Sequence, residues 1–368
     1  MKKRILLVSS GRLDRSGVPS VIMTIVRALH QECAFDIMLS SPDEGELEQE
    51  FLGFGGRIIR YRKKQFRLSV LNRAADFFRP ISLYFITGKV LRANGPYDCV
   101  HCHNEFDMAG SLAAAAKVKV PVRIGHVHKT WNEHCGSVSR LYRKLCRKSI
   151  NHYTTARLGC SHQANDAFYG KDVSAQVLYN PYDNHRFYFR NRPLQEENTI
   201  RIAQVGYFCD NKNQLFTLEV FRHLLSAYPD ATLTFAGFTE GKYGTAVREK
   251  IRTFGLEDRV NLLPPDADIP AVLDKCNLFL LPSHAEGFGI VLIEAQAMGL
   301  SCYASDTVPR ETDVGGVSFL NLSAGPKDWA QAILRERRFL QKKPYNCSAF
   351  SADTFVQSIR ELYGRACV

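Results

Sequence analysis

The fold is decided by residues 282–299, which read Pro282-Ser-His-Ala-Glu-Gly-Phe-Gly-Ile-Val-Leu-Ile-Glu-Ala-Gln-Ala-Met-Gly299. The apolar run before them, residues 277–281, is short enough for a buried parallel strand. The residues from Ile290 to Met298 predict a helix that Gly299 ends. A strand, a glycine turn and a helix in this order predict a ligand crevice at the carboxyl end of the strand, as in open α/β sheets.

The turn between this strand and helix holds the candidate ligand-binding residues. Gly287 and Gly289 allow the backbone to approach a ligand closely, and the helix start at Ile290 offers unpaired N–H groups. Glu286 lies in the loop before the glycines, and Glu294 lies about two turns away on the helix. Taken alone, these residues also fit an ordinary strand–turn–helix with two solvated glutamates, so the function depends on the rest of the chain.

The whole pattern is Glu-x7-Glu around Gly-Phe-Gly, followed by Glu-Ala-x-Ala-x-Gly. It resembles the motif of family-4 retaining glycosyltransferases, which have the GT-B fold. The resemblance implies an α/β protein with two Rossmann-like domains facing a cleft and a C-terminal helix that returns to the N-domain. It also implies that Glu286 lies beside the donor sugar and that Glu294 holds the nucleotide ribose. The remaining contacts to the donor would come from the turn: Gly287, Phe288, Gly289 and Ile290.

The composition is that of a globular α/β protein. The 368 residues, 45% of them hydrophobic, suffice for two domains with substantial cores. No apolar run reaches the about 18 residues of a membrane-spanning helix. The basic start and the brief apolar segment after it suit a first strand better than a signal peptide. The eleven cysteines are therefore expected to remain thiols, and the expected location is the cytoplasm.

The net charge of +11 calls for an anionic partner. Nucleic acid is not expected, because no nucleic-acid-binding module is visible and the aromatic residues are not interleaved with the basic clusters. Residues 57–79 carry eight basic residues against Asp76 alone. Two interpretations of this segment stay open: a peripheral contact with the inner face of an anionic membrane, or a solvated basic face whose apolar side belongs to the N-domain core.

The first strand, Ile5 to Val8, leads through a glycine loop into a helix with apolar periodicity. A glycine loop before a helix can cradle phosphate, although by itself a plain strand–helix turn is the better interpretation. In the family, the matching Gly-Gly faces the donor phosphates and the acceptor. The resemblance therefore implies a donor contact at Gly17, with Ser16 in place of the first glycine.

Two later strands each end in His-x-His. His101 and His103 end the first, and His126 and His128 end the second. Because parallel strands end at the same sheet edge, these side chains are expected to line one crevice. Both stretches resemble the paired N-domain strands of bacterial exopolysaccharide and capsule glycosyltransferases, and this resemblance implies a place beside the donor sugar for His128.

Two patterns that suggest metal chemistry are interpreted as structural. Cys99-x-x-Cys102-His103 matches a haem-attachment motif or half of a zinc site, but no export signal or second Cys-x-x-Cys accompanies it. The cysteines are expected to be small buried apolar residues. A D-x-D motif ends at Asp268, which Pro270 follows within a predicted first helical turn, so a helix cap explains it. No metal is predicted.

The polar stretch 184–198 is the predicted linker. It separates an N-terminal acceptor-side domain, residues 1–183 with the C-terminal helix 351–368, from a nucleotide-sugar-binding domain at 199–350.

In the second domain, the family's phosphate-binding Arg and Lys correspond to Tyr207 and Lys212. The resemblance implies that Lys212 binds the donor pyrophosphate. Tyr207 departs from the family pattern, because a phenol cannot replace a permanent cation beside the leaving diphosphate. Arg310, Arg12 and Arg15 are the candidate replacements.

The predicted function is a metal-independent, retaining hexosyltransferase. It would move a sugar from a nucleotide-sugar donor, a UDP-sugar by analogy, to a lipid-linked oligosaccharide or another glycan in exopolysaccharide or capsule biosynthesis. Lys212, Glu286 and His128 are the predicted catalytic residues, and no cofactor besides the donor substrate is expected. Two alternatives remain: a non-catalytic nucleotide-sugar-binding partner subunit, motivated by Tyr207, and another GT-B enzyme such as a nucleotide-sugar epimerase.

Overall fold

The computed structural model describes four ranges of the chain: residues 2–61, 77–128, 137–191 and 199–364. It divides into two compact units. The first comprises residues 1–181 together with 352–368, and the second comprises residues 182–351. Most of the predicted basic segment 57–79 and part of the predicted linker 184–198 lie outside the described ranges.

The first unit contains a seven-stranded parallel sheet. Its strands are β1 (Lys3–Val8), β2 (Cys33–Leu39), β3 (Arg57–Arg60), β4 (Cys99–Cys102), β5 (Val122–Val127), β6 (Ala156–Gly159) and β7 (Gln176–Val177). They lie in the order β3-β2-β1-β4-β5-β6-β7. The interior strand β1 buries Ile5 through Val8 without alternation, because both faces of a parallel sheet are covered.

The helices of the first unit follow the strands. They are α1 (Gly17–Leu29), α2 (Glu48–Gly53), α3 (Arg79–Asn94), α4 (Met108–Lys117), α5 (Ser137–Tyr153) and α6 (His162–Tyr169). Helix α1 buries the apolar periodic residues that predicted it, among them Ile22, Ile25 and Leu29. Helix α6 begins where the Ser161 side chain accepts a hydrogen bond from the Ala164 N–H. No helix in the described ranges is both long enough and apolar enough to cross a bilayer.

The second unit contains a six-stranded parallel sheet. Its strands are β8 (Arg201–Val205), β9 (Thr232–Ala236), β10 (Val260–Leu263), β11 (Leu278–Leu281), β12 (Ser301–Ser305) and β13 (Val317–Leu320). The order β10-β9-β8-β11-β12-β13 reverses direction between β8 and β11. The loops that leave these two strands diverge at this switch point, and the divergence opens the crevice in which such sheets bind ligands.

The helices of the second unit are α7 (Gln214–Leu224), α8 (Lys242–Thr253), α9 (Ile269–Asp274), α10 (Ile290–Ala297) and α11 (Gly325–Glu336). Strand β11 and helix α10 confirm the predicted strand–turn–helix, and Gly299 at φ +83° ends the helix. Asp268 occupies the N-cap position of α9 as predicted, but its side chain makes no capping hydrogen bond and instead accepts one from Arg186 at 3.4 Å.

The last helix, α12 (Ala352–Gly364), belongs to the first unit. Its apolar face, which includes Phe355, Ile359 and Tyr363, is part of the core formed by β1, β2 and α1. Arg360 also pairs with Glu32 at 3.1 Å on the surface of this unit. The prediction of two Rossmann-like α/β domains with a C-terminal helix returning to the first is therefore confirmed.

Candidate active site

The switch point of the second sheet brings Lys212 and Glu286 together. Lys212 follows β8 in a single 3-10 turn, and Glu286 follows β11. Lys212 Nζ donates to Glu286 Oε1 at 2.6 Å, and the Ser283 hydroxyl donates to the same oxygen at 2.6 Å. The Lys212 and Glu286 side chains are only 21% and 11% exposed, so water screens this ion pair less than it screens a surface pair. The second oxygen of Glu286, Oε2, has no hydrogen-bond partner among the described residues.

The loop that carries Glu286 is fixed by bonds to both neighbouring strand ends. Asn211 Nδ2 donates to the Ala285 carbonyl at 2.9 Å, and the His284 N–H donates to the Asn211 carbonyl at 2.8 Å. On the other side, the Ser305 hydroxyl at the end of β12 donates to the Ser283 carbonyl at 2.5 Å. These supporting residues lie beside the predicted motif residues in the sequence, but no spacing rule identifies them.

The glycine turn presents backbone to a ligand. Gly289 adopts φ +84° and caps α10, which starts at Ile290. The Phe288 side chain is buried and packs against Phe350, with ring centroids 5.7 Å apart. A ligand at this turn can therefore meet the main chain of residues 287–290, whereas the Phe288 ring belongs to the core.

Glu294 lies on α10, where its surroundings change its acidity. Burial raises the pKa of the Glu294 carboxyl to about 8, and Asp183 also raises it, while the positive charge of Arg186 acts in the opposite direction. The carboxyl is therefore mostly protonated at neutral pH, and it can donate as well as accept a hydrogen bond to a ligand hydroxyl.

This raised pKa gives a testable pH dependence. Between the ordinary glutamate pKa and about 8, the folded chain binds a proton that the unfolded chain releases. The stability that this carboxyl contributes through its raised pKa is thus complete below about pH 4, and it is lost as the pH rises through 8. We expect the unfolding free energy of wild type to fall relative to that of Glu294→Gln from about pH 5 to pH 8, by at most about 1.4 kcal/mol per pH unit. Urea unfolding of both proteins at several pH values measures this difference, and parallel pH profiles would contradict it.

Gln296 lies on α10, and the sequence did not predict that it supports the site. It is fully buried, and its Nε2 donates to the Thr312 carbonyl at 2.7 Å. Its Oε1 accepts from the Val314 and Gly316 N–H groups at 3.0 and 3.2 Å. One side chain thereby holds the segment between β12 and β13 against the helix that carries Glu294.

The position where the family has an arginine lies at the surface of the second unit. Tyr207 is 50% exposed, and its carbonyl accepts from Gln214 Nε2 at 3.1 Å. The Arg310 guanidinium lies over the Phe319 ring, 4.8 Å from its centroid. Lys212 is therefore the cation that the structure places at Glu286.

In the first unit, the four predicted histidines lie together on one face of the sheet. Strands β4 and β5 pair in register, Cys102 opposite Gly125, so the next positions are His103 and His126. Because side chains alternate along a strand, His101, His103, His126 and His128 share a face. Their rings are in contact: the His126 and His128 centroids are 4.1 Å apart, and those of His101 and His103 are 4.2 Å apart.

Both ring nitrogens of His128 are hydrogen-bonded within this unit. His128 Nδ1 lies 3.0 Å from Asn180 Oδ1, and His128 Nε2 lies 2.8 Å from His103 Nδ1. Burial lowers the pKa of His128 to about 4, partly opposed by the bond to Asn180, so the imidazole is neutral at physiological pH.

Gly17 begins α1, and Ser16 precedes it in the N-cap position. The Ser16 side chain does not cap the helix; it donates to Asp14 Oδ1 at 2.5 Å. A Cβ added at Gly17 would meet no atom within 4 Å, so no neighbour in the described structure requires glycine there. Gly17 and His128 lie in the first unit, and the other predicted site residues lie in the second.

The arginines of the predicted basic segment that fall in the described ranges form ion pairs. Arg57 donates to Asp36 at 2.6 Å, and Arg79 donates to Asp107 at 2.9 Å. Arg60 pairs with the buried Glu48. These three arginines therefore neutralise acids of the same unit.

A pocket of about 750 Å³ in the second unit lies away from the predicted site residues. Thr232, Thr234 and Asn261 line it from β9 and β10, together with Arg201 and Lys342. Residues of α9 also line the pocket, and none of the predicted site residues does.

Two protein-family models match the chain and together span residues 15–341. The model described as Glycosyltransferase Family 4 matches residues 15–186. The model described as Glycosyl transferases group 1 matches residues 186–341.

Three curated relatives align over most of their length. The glycosyltransferase EpsF of Bacillus subtilis is 28% identical over 351 residues, which cover 91% of this chain and 88% of EpsF. The capsular polysaccharide biosynthesis glycosyltransferase CapH of Staphylococcus aureus is 24% identical and covers 96% of each chain. The UDP-Gal:alpha-D-GlcNAc-diphosphoundecaprenol alpha-1,3-galactosyltransferase of Escherichia coli is 27% identical and covers 79% of this chain and 76% of the enzyme.

Among solved structures, Anabaena HepE in complex with UDP superposes with a TM-score of 0.77 at 17% identity, covering 99% of this chain and 100% of that chain. This similarity establishes the fold. The predicted resemblance is thereby confirmed: the chain belongs to the family-4, group-1 glycosyltransferases with the GT-B fold, and its relatives include capsular polysaccharide glycosyltransferases.

Proposed function

We propose that the chain is a retaining glycosyltransferase that moves a sugar from a UDP-sugar to a lipid-linked glycan. The observation that carries this proposal is the half-buried Lys212–Glu286 pair at the switch point of the second sheet, where α/β sheets bind ligands. The relatives reported above support the substrate classes. One is named for UDP-Gal and a diphosphoundecaprenol acceptor, one for capsular polysaccharide, and HepE was solved with UDP.

The proposed chemistry uses side chains and main-chain N–H groups. Lys212 and the turn at Gly287 and Gly289 stabilise the negative charge that develops on the departing diphosphate, and no metal ion is required for this step. Glu286 keeps Oε2 for a hydroxyl of the donor sugar, while Lys212 and Ser283 hold Oε1. Glu294 binds the ribose. The anomeric configuration of the purified product, read by proton NMR, tests retention directly.

The proposed role of His128 is to bind a hydroxyl of the donor sugar. In the structure, both of its ring nitrogens have partners, His103 and Asn180. His128 can therefore bind the sugar only by exchanging one of these hydrogen bonds for one to a sugar hydroxyl. The neutral ring suits this exchange, because a neutral imidazole offers one donor and one acceptor.

A lipid-linked acceptor requires access to a membrane, and the first unit has a surface that fits one. Five of its large apolar side chains are each more than half exposed: Phe78, Ile81, Phe85, Leu141 and Leu145. Phe78 directly precedes α3, Ile81 and Phe85 lie on α3, and the two leucines lie on α5. The ring of Phe77, just before α3, lies 5.6 Å from that of Tyr142 on α5. Helix α5 contains five Lys or Arg residues and no Asp or Glu. Exposed apolar side chains among basic ones favour an anionic membrane surface.

This surface yields a prediction. The double variant Phe85→Glu/Leu145→Glu should bind vesicles containing phosphatidylglycerol at least about tenfold more weakly, because it removes two apolar groups worth about 1.5–3 kcal/mol each when buried. Co-sedimentation with vesicles measures the partition coefficient. Leu340→Glu, at a leucine that is 39% exposed in the second unit, is the matched control. If the double variant and Leu340→Glu both sediment with the vesicles to the same extent as wild type, a membrane contact through this surface is contradicted.

The proposal also places the chain in the cytoplasm, at the inner face of the membrane. A reducing compartment keeps cysteines as thiols, and the structure describes nine of the cysteines of the chain. Eight of the nine are buried, where they behave as small apolar residues.

A thermal-shift screen with UDP-, GDP-, ADP-, CMP- and dTDP-sugars tests the donor site. A donor that binds only the folded chain at about 100 times its dissociation constant adds about 2.7 kcal/mol to the unfolding free energy. The expected result is a shift selective for UDP-sugars that Glu294→Ala abolishes. No shift with any nucleotide in folded wild type would contradict the proposed donor site.

The exposed Tyr207 favours one alternative, a partner subunit that binds the donor without transferring it. Assays with the donor found in the screen and a polyprenyl-diphosphate-linked glycan separate the two functions. Sugar transfer supports the enzyme, whereas donor binding without transfer under all acceptor conditions supports the partner subunit.

A further inference from the structure

The buried histidines of the first unit form a compact group of nitrogen ligands. One ring nitrogen from each of His101, His103 and His126 lies within 4.8 Å of one from each of the other two. All three side chains are at most 4% exposed. This group lies outside the proposed donor-binding residues of the second unit, and none of its three histidines is assigned a contact with the substrate in the transfer chemistry proposed above.

The hydrogen bonds around His128 leave one ring nitrogen of His103 unpaired. Asn180 Oδ1 can only accept, so His128 Nδ1 donates to it. His128 Nε2 lies 2.8 Å from His103 Nδ1, so these two nitrogens share one hydrogen bond. His103 Nε2 is buried and has no hydrogen-bond partner among the described residues.

A second buried nitrogen of the group also lacks a partner. His126 Nε2 has no hydrogen-bond partner in the part of the chain that the structure describes, whereas its Nδ1 lies 3.3 Å from His101 Nε2. His101 Nδ1 lies 2.9 Å from the Tyr363 hydroxyl on α12. His101 and His103 thus each have an outer partner for one ring nitrogen, Tyr363 and His128, as metal-binding histidines commonly have. To bind an ion, His101 Nε2 exchanges its contact with His126 Nδ1 for the metal. Leaving buried polar atoms unpaired costs free energy that a bound ion would recover.

We infer that His101, His103 and His126 bind one transition-metal ion of the Zn²⁺ class. Imidazole nitrogens prefer Zn²⁺, Co²⁺, Ni²⁺ or Cu²⁺, whereas Mg²⁺ and Ca²⁺ require oxygen ligands that this group lacks. The centre of a triangle with edges of 4.8 Å lies about 2.8 Å from each corner, and Zn–N bonds are about 2.0–2.1 Å long. Each ring nitrogen therefore has to move by less than about 1 Å to close the site.

The Cys99-x-x-Cys102 pattern takes no part in this site. Cys102 lies between His101 and His103 in the strand, so its side chain points to the opposite face of the sheet. The group of nearby ligand atoms found among the described residues holds these three histidines and no cysteine. The role assigned to the ion is structural: it fixes the His103 ring, and His103 in turn orients His128 through the bond at 2.8 Å.

Cobalt provides the test. Untagged, chelator-treated full-length protein is titrated with Co²⁺ and followed by visible absorbance, and Zn²⁺ is then added. We expect one Co²⁺ per chain with the intense bands of tetrahedral coordination, displaced by Zn²⁺. Loss of an outer-shell partner lowers metal affinity about 10–100-fold. His103→Gln removes a ligand of the ion, so it should weaken Co²⁺ binding by more than that. His152→Gln, at an exposed histidine on α5 of the same unit, should leave binding unchanged.

A measurement on wild type alone covers the case in which His103→Gln fails to fold. X-ray absorption of the Zn²⁺-loaded protein should show about three imidazole nitrogens at about 2.0 Å. The proposal is overturned if folded wild type binds neither Co²⁺ nor Zn²⁺ stoichiometrically; a buried water would then fill the site. It is also overturned if folded His103→Gln binds Co²⁺ as tightly as wild type does. A coordination shell dominated by oxygen would also overturn it. None of these readouts depends on sugar transfer, so this inference and the proposed function can fail separately.

Discussion

Replacing Lys212 with methionine is expected to lower kcat for sugar transfer about 10²–10³-fold, because it removes the cation that stabilises the leaving diphosphate. Methionine keeps the length and apolar stem of lysine, so the change is chiefly in charge. Glu286→Gln should have an effect of similar size, since Lys212 Nζ and Glu286 Oε1 form an ion pair at 2.6 Å. The double variant should lose about as much as the worse single variant, because the effects of residues that act together are not additive.

The same unit offers a matched control for the ion pair. Lys250 Nζ also lies 2.6 Å from a glutamate oxygen, Glu219 Oε1, but that pair is more exposed. Lys250→Met should change kcat less than about threefold, because surface ion pairs contribute about 0–1 kcal/mol. Steady-state kinetics at saturating donor, with circular dichroism to verify folding, make the comparison. A loss below about tenfold in folded Lys212→Met would remove the proposed role of the lysine.

Replacing Gln296 with methionine is expected to destabilise the chain by about 3 kcal/mol or more. The two side chains have similar volumes, so the effect comes from hydrogen bonds and not from a cavity. Methionine would leave the Thr312 carbonyl and the Val314 and Gly316 N–H groups without the partner that Gln296 supplies. Each unsatisfied buried group costs about 1–3 kcal/mol.

Urea unfolding measures this loss. Gln357→Met is the control, because Gln357 lies exposed on α12 and its side chain bonds those of its neighbours Arg360 and Glu361. It should change the unfolding free energy by less than about 0.5 kcal/mol. A loss below about 1 kcal/mol in Gln296→Met would mean that the segment from Thr312 to Gly316 is held by other contacts.

The local elements of the candidate site were predictable because their signals are local. The apolar run of β11, the glycines of the turn and the apolar residues of α10 are consecutive in the chain, and Gly299 ends the helix at positive φ as its position predicted. The two His-x-His strand ends were expected to meet, because adjacent parallel strands end at the same edge of a sheet, and their rings are in contact.

Contacts between distant segments could not be predicted in this way. Lys212 and Glu286 are 74 positions apart, and His101 and Tyr363 are 262 apart. No periodicity relates such pairs, because their separation depends on the strand order of the sheets and on the return of α12. The motif leaves the glutamine of the Glu-Ala-Gln-Ala stretch as a variable position, although its side chain makes three hydrogen bonds to the segment before β13.

The sequence by itself determined the α/β class, the two-domain organisation, the family and the identity of the motif residues, because hydrophobic periodicity and motif spacing are properties of consecutive residues. Only the tertiary structure decided the chemical state of those residues. Burial raises the pKa of Glu294 and keeps the histidines neutral, the ion pair with Glu286 holds Lys212, and packing leaves Phe85 and Leu145 exposed. Charge, protonation and exposure depend on what surrounds a side chain, and segments far apart in the chain supply those surroundings.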